Sequence, residues 1–182
     1  MSLRERWVEL LYQALKSPPK RRALVTPIGI VFWLSLTALL VFASLWVDGL
    51  AHFPMFVSAP LSFVIGSILL ALGAFVDLWP VVRFFRARGA PVPLNPPQEL
   101  VTTGLYAYVR NPMVSGWLSG MFGLGVLLGS ISFTFIFTPL FAILNVIYLK
   151  AIEERELEKK FGEVYLRYKE KVPMFIPRLR KC

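Results

Sequence analysis

The chain has 182 residues, 56% of them hydrophobic and 17% charged, with a mean hydropathy of +0.61. A soluble domain is closer to half apolar and a quarter charged, so this composition excludes an ordinary soluble fold and points into a bilayer. The net charge of +9 calls for no nucleic-acid partner, because its Lys and Arg flank apolar runs, where they face anionic lipid headgroups.

Residues 1–20 read as an interfacial helix. Ser2 and Glu5 form a capping-box pattern, and Leu3, Trp7, Leu11, Ala14 and Leu15 share one face. Pro18 and Pro19 stop it, and Lys20, Arg21 and Arg22 anchor at the headgroups. The uncharged run from Ala23 to Val47 exceeds the roughly 20 residues that cross a bilayer and gives a first span over 23–47. It is about twice as long as a signal-peptide core and is expected to be retained. The loop from Asp48 to Ala59 has no Lys or Arg, and its His52 is expected to be interfacial rather than a ligand.

A second span, 59–82, carries Gly66, Ser67, Ala71, Gly73 and Ala74, small residues that allow close helix approach, and ends around Asp77, Trp79 and Pro80. Asp77 is expected near the interface in a structural role. The segment 83–111 contains Pro91, Pro93, Pro96 and Pro97 ahead of Pro112, which forbids a continuous helix. It is too long for a plain connector, and apolar Leu94, Leu100, Val101, Leu105, Tyr106 and Val109 argue for an ordered, functional loop.

The uncharged run from Asn111 to Leu149 is too long for one helix. Leu128-Gly129-Ser130-Ile131-Ser132 suits a tight reversal, giving a hairpin of spans 112–129 and 132–152. Gly123-Leu-Gly125 lacks any strand context and reads as helix packing, not a nucleotide loop. The tail, 153–182, continues the fourth span as helix. Leu149, Ile152, Leu157, Phe161, Tyr165 and Tyr168 recur at helical spacing, with a break at Gly162. Glu156 and Lys160 form a favourable i,i+4 surface pair, which leaves Glu153, Glu154 and Arg155 unexplained. The single cysteine, Cys182, supports no disulfide framework or thiolate metal site, and no metal constellation is expected.

Charge placement tests the span count independently. Six basic residues precede the first span, four lie from Arg83 to Arg110, and the remaining ten run from Lys150 onward, while the other two loops have none. By the positive-inside rule both termini and the middle loop are cytoplasmic. The expected fold is all-α integral membrane: four transmembrane helices, an N-terminal interfacial helix, and a cytoplasmic cap from the middle loop and C-terminal helices.

Two segments, Gly104-Leu-Tyr-Ala-Tyr-Val-Arg-Asn-Pro-Met and Glu153-Glu154 followed by Phe161-Gly-Glu-Val-Tyr165 and Tyr168, flank that hairpin. In order and spacing, across about residues 94 to 177, they resemble the isoprenylcysteine carboxyl methyltransferase and phospholipid methyltransferase superfamily. The resemblance implies an integral membrane enzyme that uses S-adenosylmethionine at the cytoplasmic surface and methylates a lipophilic acceptor from the bilayer. Carried over by position, Tyr106, Arg110, Asn111 and Pro112 match the loop motif, and Glu153 and Glu154 match the acidic pair. Leu100, Val101, Gly104 and Tyr148 complete the expected cofactor-binding set. Asn111 stands where the carboxyl methyltransferase branch has histidine, which tilts away from a strict isoprenylcysteine substrate. Val114 stands where the pattern usually has tyrosine, and Tyr106, Tyr108 and Tyr148 are all open as sources of that hydroxyl.

Methyl transfer from a sulfonium is an in-line displacement dominated by positioning and water exclusion. The catalytic candidates are Arg110, Glu154 and Arg155: either arginine could pair with an anionic acceptor, against the alternative of a headgroup anchor. Glu153 or Glu154 could hold the cofactor's ammonium, sulfonium or ribose, or take a proton from an amine acceptor. Two other classes stand beside this reading. One is an NADPH-dependent membrane reductase of the sterol type. The other is a small transporter or assembly protein, which the lack of ionisable residues at midmembrane disfavours.

Overall fold

A computed structural model describes residues 19–86 and 100–177. Most of the interfacial helix expected over 1–20, the proline-rich part of the loop with Leu94, and Cys182 lie outside those residues. All regular structure among the described residues is helical. Helix α1 is Pro19–Ala51, α2 is Ala59–Arg86, α3 is Pro112–Leu128, α4 is Thr138–Tyr148, α5 is Glu154–Phe161 and α6 is Glu163–Lys171. Phe133–Phe137 and Leu149–Glu153 are π-helical turns that precede and follow α4, and Gly104–Ala107 is a 3-10 turn.

Three helical stretches are long and apolar enough to cross a membrane: Gly29–Ala51, Ala59–Pro80 and Phe133–Phe161. Helix α3 is apolar but has 17 residues, about 26 Å at 1.5 Å per residue against a hydrocarbon core of roughly 30 Å. Its ends are fixed by Pro112, which suits a first helical position, and by Gly129, whose φ of +63° ends it. The first helix is longer than the expected 23–47 span at both ends, and α2 runs past residue 82 to Arg86. The fourth helical run passes residue 152 without a break, continuing through a π-turn rather than ending.

The chain packs as two compact units. The first comprises residues 30–78 and 113–145. Phe42, Phe63 and Phe75 point outward and are largely exposed, as a hydrocarbon solvent allows. Its interior is small and partly polar: Ser44, Ser62, Thr134 and Asn145 are buried and donate to carbonyls three or four residues back, at 2.8 to 3.0 Å. Met121, Phe133 and Phe141 form the apolar centre, with Trp33 edge-on to Phe141 at 5.5 Å between centroids.

Within this unit α2 and α3 meet backbone to backbone. A Cβ on Gly73 would lie 2.5 Å from the Gly120 nitrogen, and one on Gly116 2.7 Å from the Asp77 nitrogen. Ser119 Oγ donates to the Leu69 carbonyl at 3.2 Å. Of the small residues read as packing from the sequence, Gly66 and Gly73 therefore form the α2–α3 seam, whereas Ala71 and Ala74 are exposed.

The second reversal in this unit is held by a side chain far away in sequence. Asp48, near the end of α1, accepts from Ser130 Oγ at 2.5 Å and from the Ser132 backbone N–H at 2.9 Å. Its carboxylate thus caps the helix that leads into α4. His52 ends α1 with a φ of +52°, a conformation histidine tolerates better than most side chains, while the Phe53 N–H bonds back to the Asp48 carbonyl at 3.0 Å. That is the structural role of His52.

The other unit comprises, among the described residues, 19–29, 79–86, 100–112 and 146–177. Its buried apolar side chains are Val109, Leu149, Tyr165 and Val172. Gly104, at φ +68°, lies directly under the Trp79 ring, where any Cβ would overlap the indole. Gly162, at φ +54°, provides the expected break between α5 and α6. The chain beyond α6 returns to the motif loop: the Arg110 N–H bonds to the Pro173 carbonyl at 2.8 Å, and the Asn111 N–H to the Met174 carbonyl at 3.2 Å.

Candidate functional site

The site is built within this second unit from the motif loop, α5 and α6. Tyr168 Oη on α6 donates to the Tyr106 carbonyl at 2.7 Å, and the Arg110 and Asn111 backbone bonds fix the end of the same loop. With its backbone pinned at three points, the loop directs the Arg110 side chain onto α5. There its Nη1 meets Glu154 Oε1 at 2.5 Å, with 11% and 7% of the two side chains exposed. The other oxygen of Glu154 receives Lys169 Nζ at 2.6 Å, and Lys169 also reaches Glu158 at 2.8 Å.

These charges line a cleft of about 460 Å³, together with Lys150 and Arg155. A larger depression of about 540 Å³ lies along α6, among Glu163, Leu166, Arg167, Lys169 and Glu170; it shares Lys169 with the cleft but holds no loop-motif or acidic-pair residue. The smaller cleft is the candidate site because both motifs contribute to it.

The surroundings of the ion pair are electrostatically biased. Burial, and then the Glu154 charge, push the Tyr165 phenol up to about 12, against the opposing pull of Arg110 and Lys169. Tyr168 is raised further, by burial first and then by Tyr165, so both phenols stay neutral at physiological pH. Hydrogen bonds to Glu154 and Glu158 hold the Lys169 ammonium above its ordinary range. Arg110 Nε is buried without a hydrogen-bond partner among the described residues.

Of the expected catalytic residues, Arg110, Glu154 and Arg155 are brought together on the cleft. The Tyr106 carbonyl and the Asn111 N–H are both hydrogen-bonded, Pro112 is fully buried at the start of α3, and Gly104 packs under Trp79. Leu100, Val101, Tyr148 and Glu153 do not line the cleft; Tyr148 and Glu153 lie within electrostatic reach of each other beside it. Lys150, Glu158 and Lys169 line it and were not singled out from the sequence. Lys169 had a signal, being next to the motif tyrosine Tyr168, but its pairing with Glu154 depends on how the turn at Gly162 folds α6 back.

The cleft presents cations able to hold an anionic group, and a carboxylate, Glu154, whose oxygens are both engaged by cations. It is suited to a zwitterionic or anionic ligand, with Glu154 fixing two cations in position.

A model of the family described as phospholipid methyltransferase matches residues 61–164. A protein-S-isoprenylcysteine O-methyltransferase of Schizosaccharomyces pombe is 38% identical over 85 residues, covering 46% of this chain and 35% of that protein. A methanethiol S-methyltransferase 2 of Bradyrhizobium diazoefficiens is 33% identical over 85 residues, covering 45% of this chain and 30% of that protein. The matched part is thus about a third of the length of each of these relatives. No solved structure matches the chain.

Proposed function

The chain belongs to the phospholipid methyltransferase family, and from that premise we propose that it is an integral membrane enzyme transferring a methyl group from S-adenosylmethionine to a lipophilic acceptor drawn from the bilayer. The observation that carries the reading is the Arg110–Glu154 pair, which joins the loop motif to the acidic motif at one cleft. The topology proposed with it has four spans, α3 being the short one, and both termini in the cytoplasm, in keeping with the distribution of Lys and Arg.

The donor set fits S-adenosylmethionine. Its amino-acid end carries a carboxylate and an ammonium; Arg110, Lys150 and Arg155 could hold the first, and Glu154 and Glu158 the second by exchanging with Lys169. When bound, the cofactor supplies an electrophilic methyl on sulfur. The chain's own part is to bind, to orient and to exclude water. Arg110 is fixed by Glu154 and by the return of the chain at Pro173, so its position costs no reorganisation on binding. The relatives' names cover transfer to oxygen and to sulfur, so carboxylate, amine and thiol acceptors all belong in a screen.

Binding of S-adenosylhomocysteine to the detergent-purified chain, by calorimetry or by melting temperature, tests the proposal. Saturable binding that Glu154→Ala abolishes is expected. Binding of NADPH in its place would move the protein to the reductase class, and binding of neither would leave a family fold without the activity.

A further inference from the structure

Glu154 is buried and serves two cations at once, Arg110 on Oε1 and Lys169 on Oε2. The two are not held alike. Arg110 is nearly as buried as Glu154, and its own backbone N–H is tied to the Pro173 carbonyl. Lys169 stands on α6 with about a third of its side chain exposed, on a flexible four-carbon stem. A second carboxylate is already within its reach, Glu158 Oε1 at 2.8 Å. Lys169 also lines both hollows, the cleft and the depression along α6. It can therefore leave Glu154 while keeping a counter-ion and without entering packed core, which Arg110 cannot do. An α-amino-acid end brings a carboxylate and an ammonium together. The cleft has free cations for the first in Lys150 and Arg155, but its buried acid is already occupied by Lys169.

We propose that Lys169 is a built-in competitor for this seat: it occupies Glu154 Oε2 in the empty chain, yields it to the ammonium of a ligand with an α-amino-acid end, and retires to Glu158. The inference rests on the methyl-transfer reading above and concerns how that same site fills and empties. In the empty chain Lys169 spares Glu154 the cost of a buried charge with a single partner. In exchange it holds affinity down, because only molecules whose Oε2 has been vacated accept the ammonium, and apparent affinity falls with that fraction. The demethylated nucleoside left after transfer keeps its ammonium, so the return of Lys169 to Glu154 favours its release. A ligand that lacks the ammonium binds with Lys169 in place and is indifferent to the competition. Lys169 thus makes the cleft's affinity depend on the ammonium, while Arg110 stays fixed throughout.

The test is calorimetry on the full chain in lipid nanodiscs with two probes: S-adenosylhomocysteine, and its deamino analogue, which has hydrogen in place of the ammonium. Lys169→Met keeps the length of the stem and removes the charge. It is expected to tighten S-adenosylhomocysteine by about fivefold or more, the competitor being gone. The deamino analogue is expected to change by less than about twofold, or to bind neither protein, since it does not contest the seat. Unchanged or weaker S-adenosylhomocysteine binding, or equal tightening of both probes, would overturn the inference. A merely structural lysine would not separate the two probes. Lys169→Arg, which grips a carboxylate with two donors, is expected to weaken S-adenosylhomocysteine by about threefold or more. Should Lys169→Met fail to fold, that variant decides, and native or tighter binding in it overturns the inference. If neither the native chain nor the variants bind S-adenosylhomocysteine, the methyl-transfer reading falls and this inference with it, whereas native binding without the tightening brings down this inference alone.

Discussion

Arg110 and Glu154 are 44 residues apart in sequence and 2.5 Å apart in space, each with about a tenth or less of its side chain exposed. Neither could be buried singly without a severe desolvation penalty, so each depends on the other for its place in the fold. The pair therefore couples folding of the motif loop to folding of α5.

Removing both partners is expected to cost less than the sum of removing each alone. Arg110→Ala strands the Glu154 charge with Lys169 alone, and Glu154→Ala strands Arg110, whose Nε already lacks a partner. Each single variant should lose about 3 kcal/mol, the usual scale for breaking a buried pair. The double variant should lose clearly less than their sum, and denaturant unfolding of the four proteins in mild detergent measures the coupling. Additive losses would mean that the two side chains do not support each other.

Lys169 makes a distinct, pH-dependent contribution. Glu154 and Glu158 raise its ammonium above the ordinary lysine value of 10.5, so the folded state holds this proton more tightly than the unfolded chain does. Stability from that difference is fully present below the unfolded value and is lost as pH rises through the higher folded one. Melting temperatures of the native chain and of Lys169→Met should therefore differ at neutral pH and converge only above about pH 10.5. A gap that closed between pH 6 and 8 would assign the effect to another group.

The α2–α3 seam makes a packing prediction with an internal control. A Cβ on Gly73 would sit 2.5 Å from the Gly120 nitrogen, and backbone cannot swing away as a side chain can. Gly73→Ala should destabilise by about 1–3 kcal/mol, the range for overpacking a tight interface. Gly49 on α1 has nothing within 4 Å of such a Cβ, so Gly49→Ala should be neutral or slightly stabilising through helix propensity. Thermal unfolding of the two variants side by side checks the contrast.

What the sequence made legible was whatever depends on local chemistry. Gly129 and Gly162 were readable as breaks because few other residues accept their positive φ, and the apolar runs were readable because they lack charge over long stretches. Arg110 and Glu154 were identified by motif and order. Lys150 and Lys169 were not, since a lysine near a membrane looks the same whether it anchors to headgroups or clamps a carboxylate. Glu156 was read as solvated because i,i+4 spacing to Lys160 describes one helix alone and carries no information about what packs over it. The π-turns at Phe133–Phe137 and Leu149–Glu153 have no sequence signal, because they arise where tertiary packing shifts the register of an otherwise ordinary helix.

Asp48 offers the sharpest example of a residue whose role only tertiary structure reveals, and its removal has a defined consequence. It looks like an ordinary loop acid, yet one oxygen accepts from Ser130 Oγ and the other from the Ser132 N–H. Ser130 Oγ in turn accepts from the Phe133 N–H at 3.0 Å, so one carboxylate organises the first turn of the helix that leads to α4. In Asp48→Ala the Ser132 N–H loses its acceptor where water is scarce, and about 1–2 kcal/mol should be lost. Asp48→Asn keeps an acceptor for one donor and should recover about half of that. Ser130→Ala breaks the same network at its other member, so adding it to Asp48→Ala should cost less than Ser130→Ala does alone, the remainder being the acceptor lost by the Phe133 N–H. Unfolding of the two singles and the double gives the answer: full additivity would show that Asp48 and Ser130 act separately, and a double loss short of the sum that they form one cap.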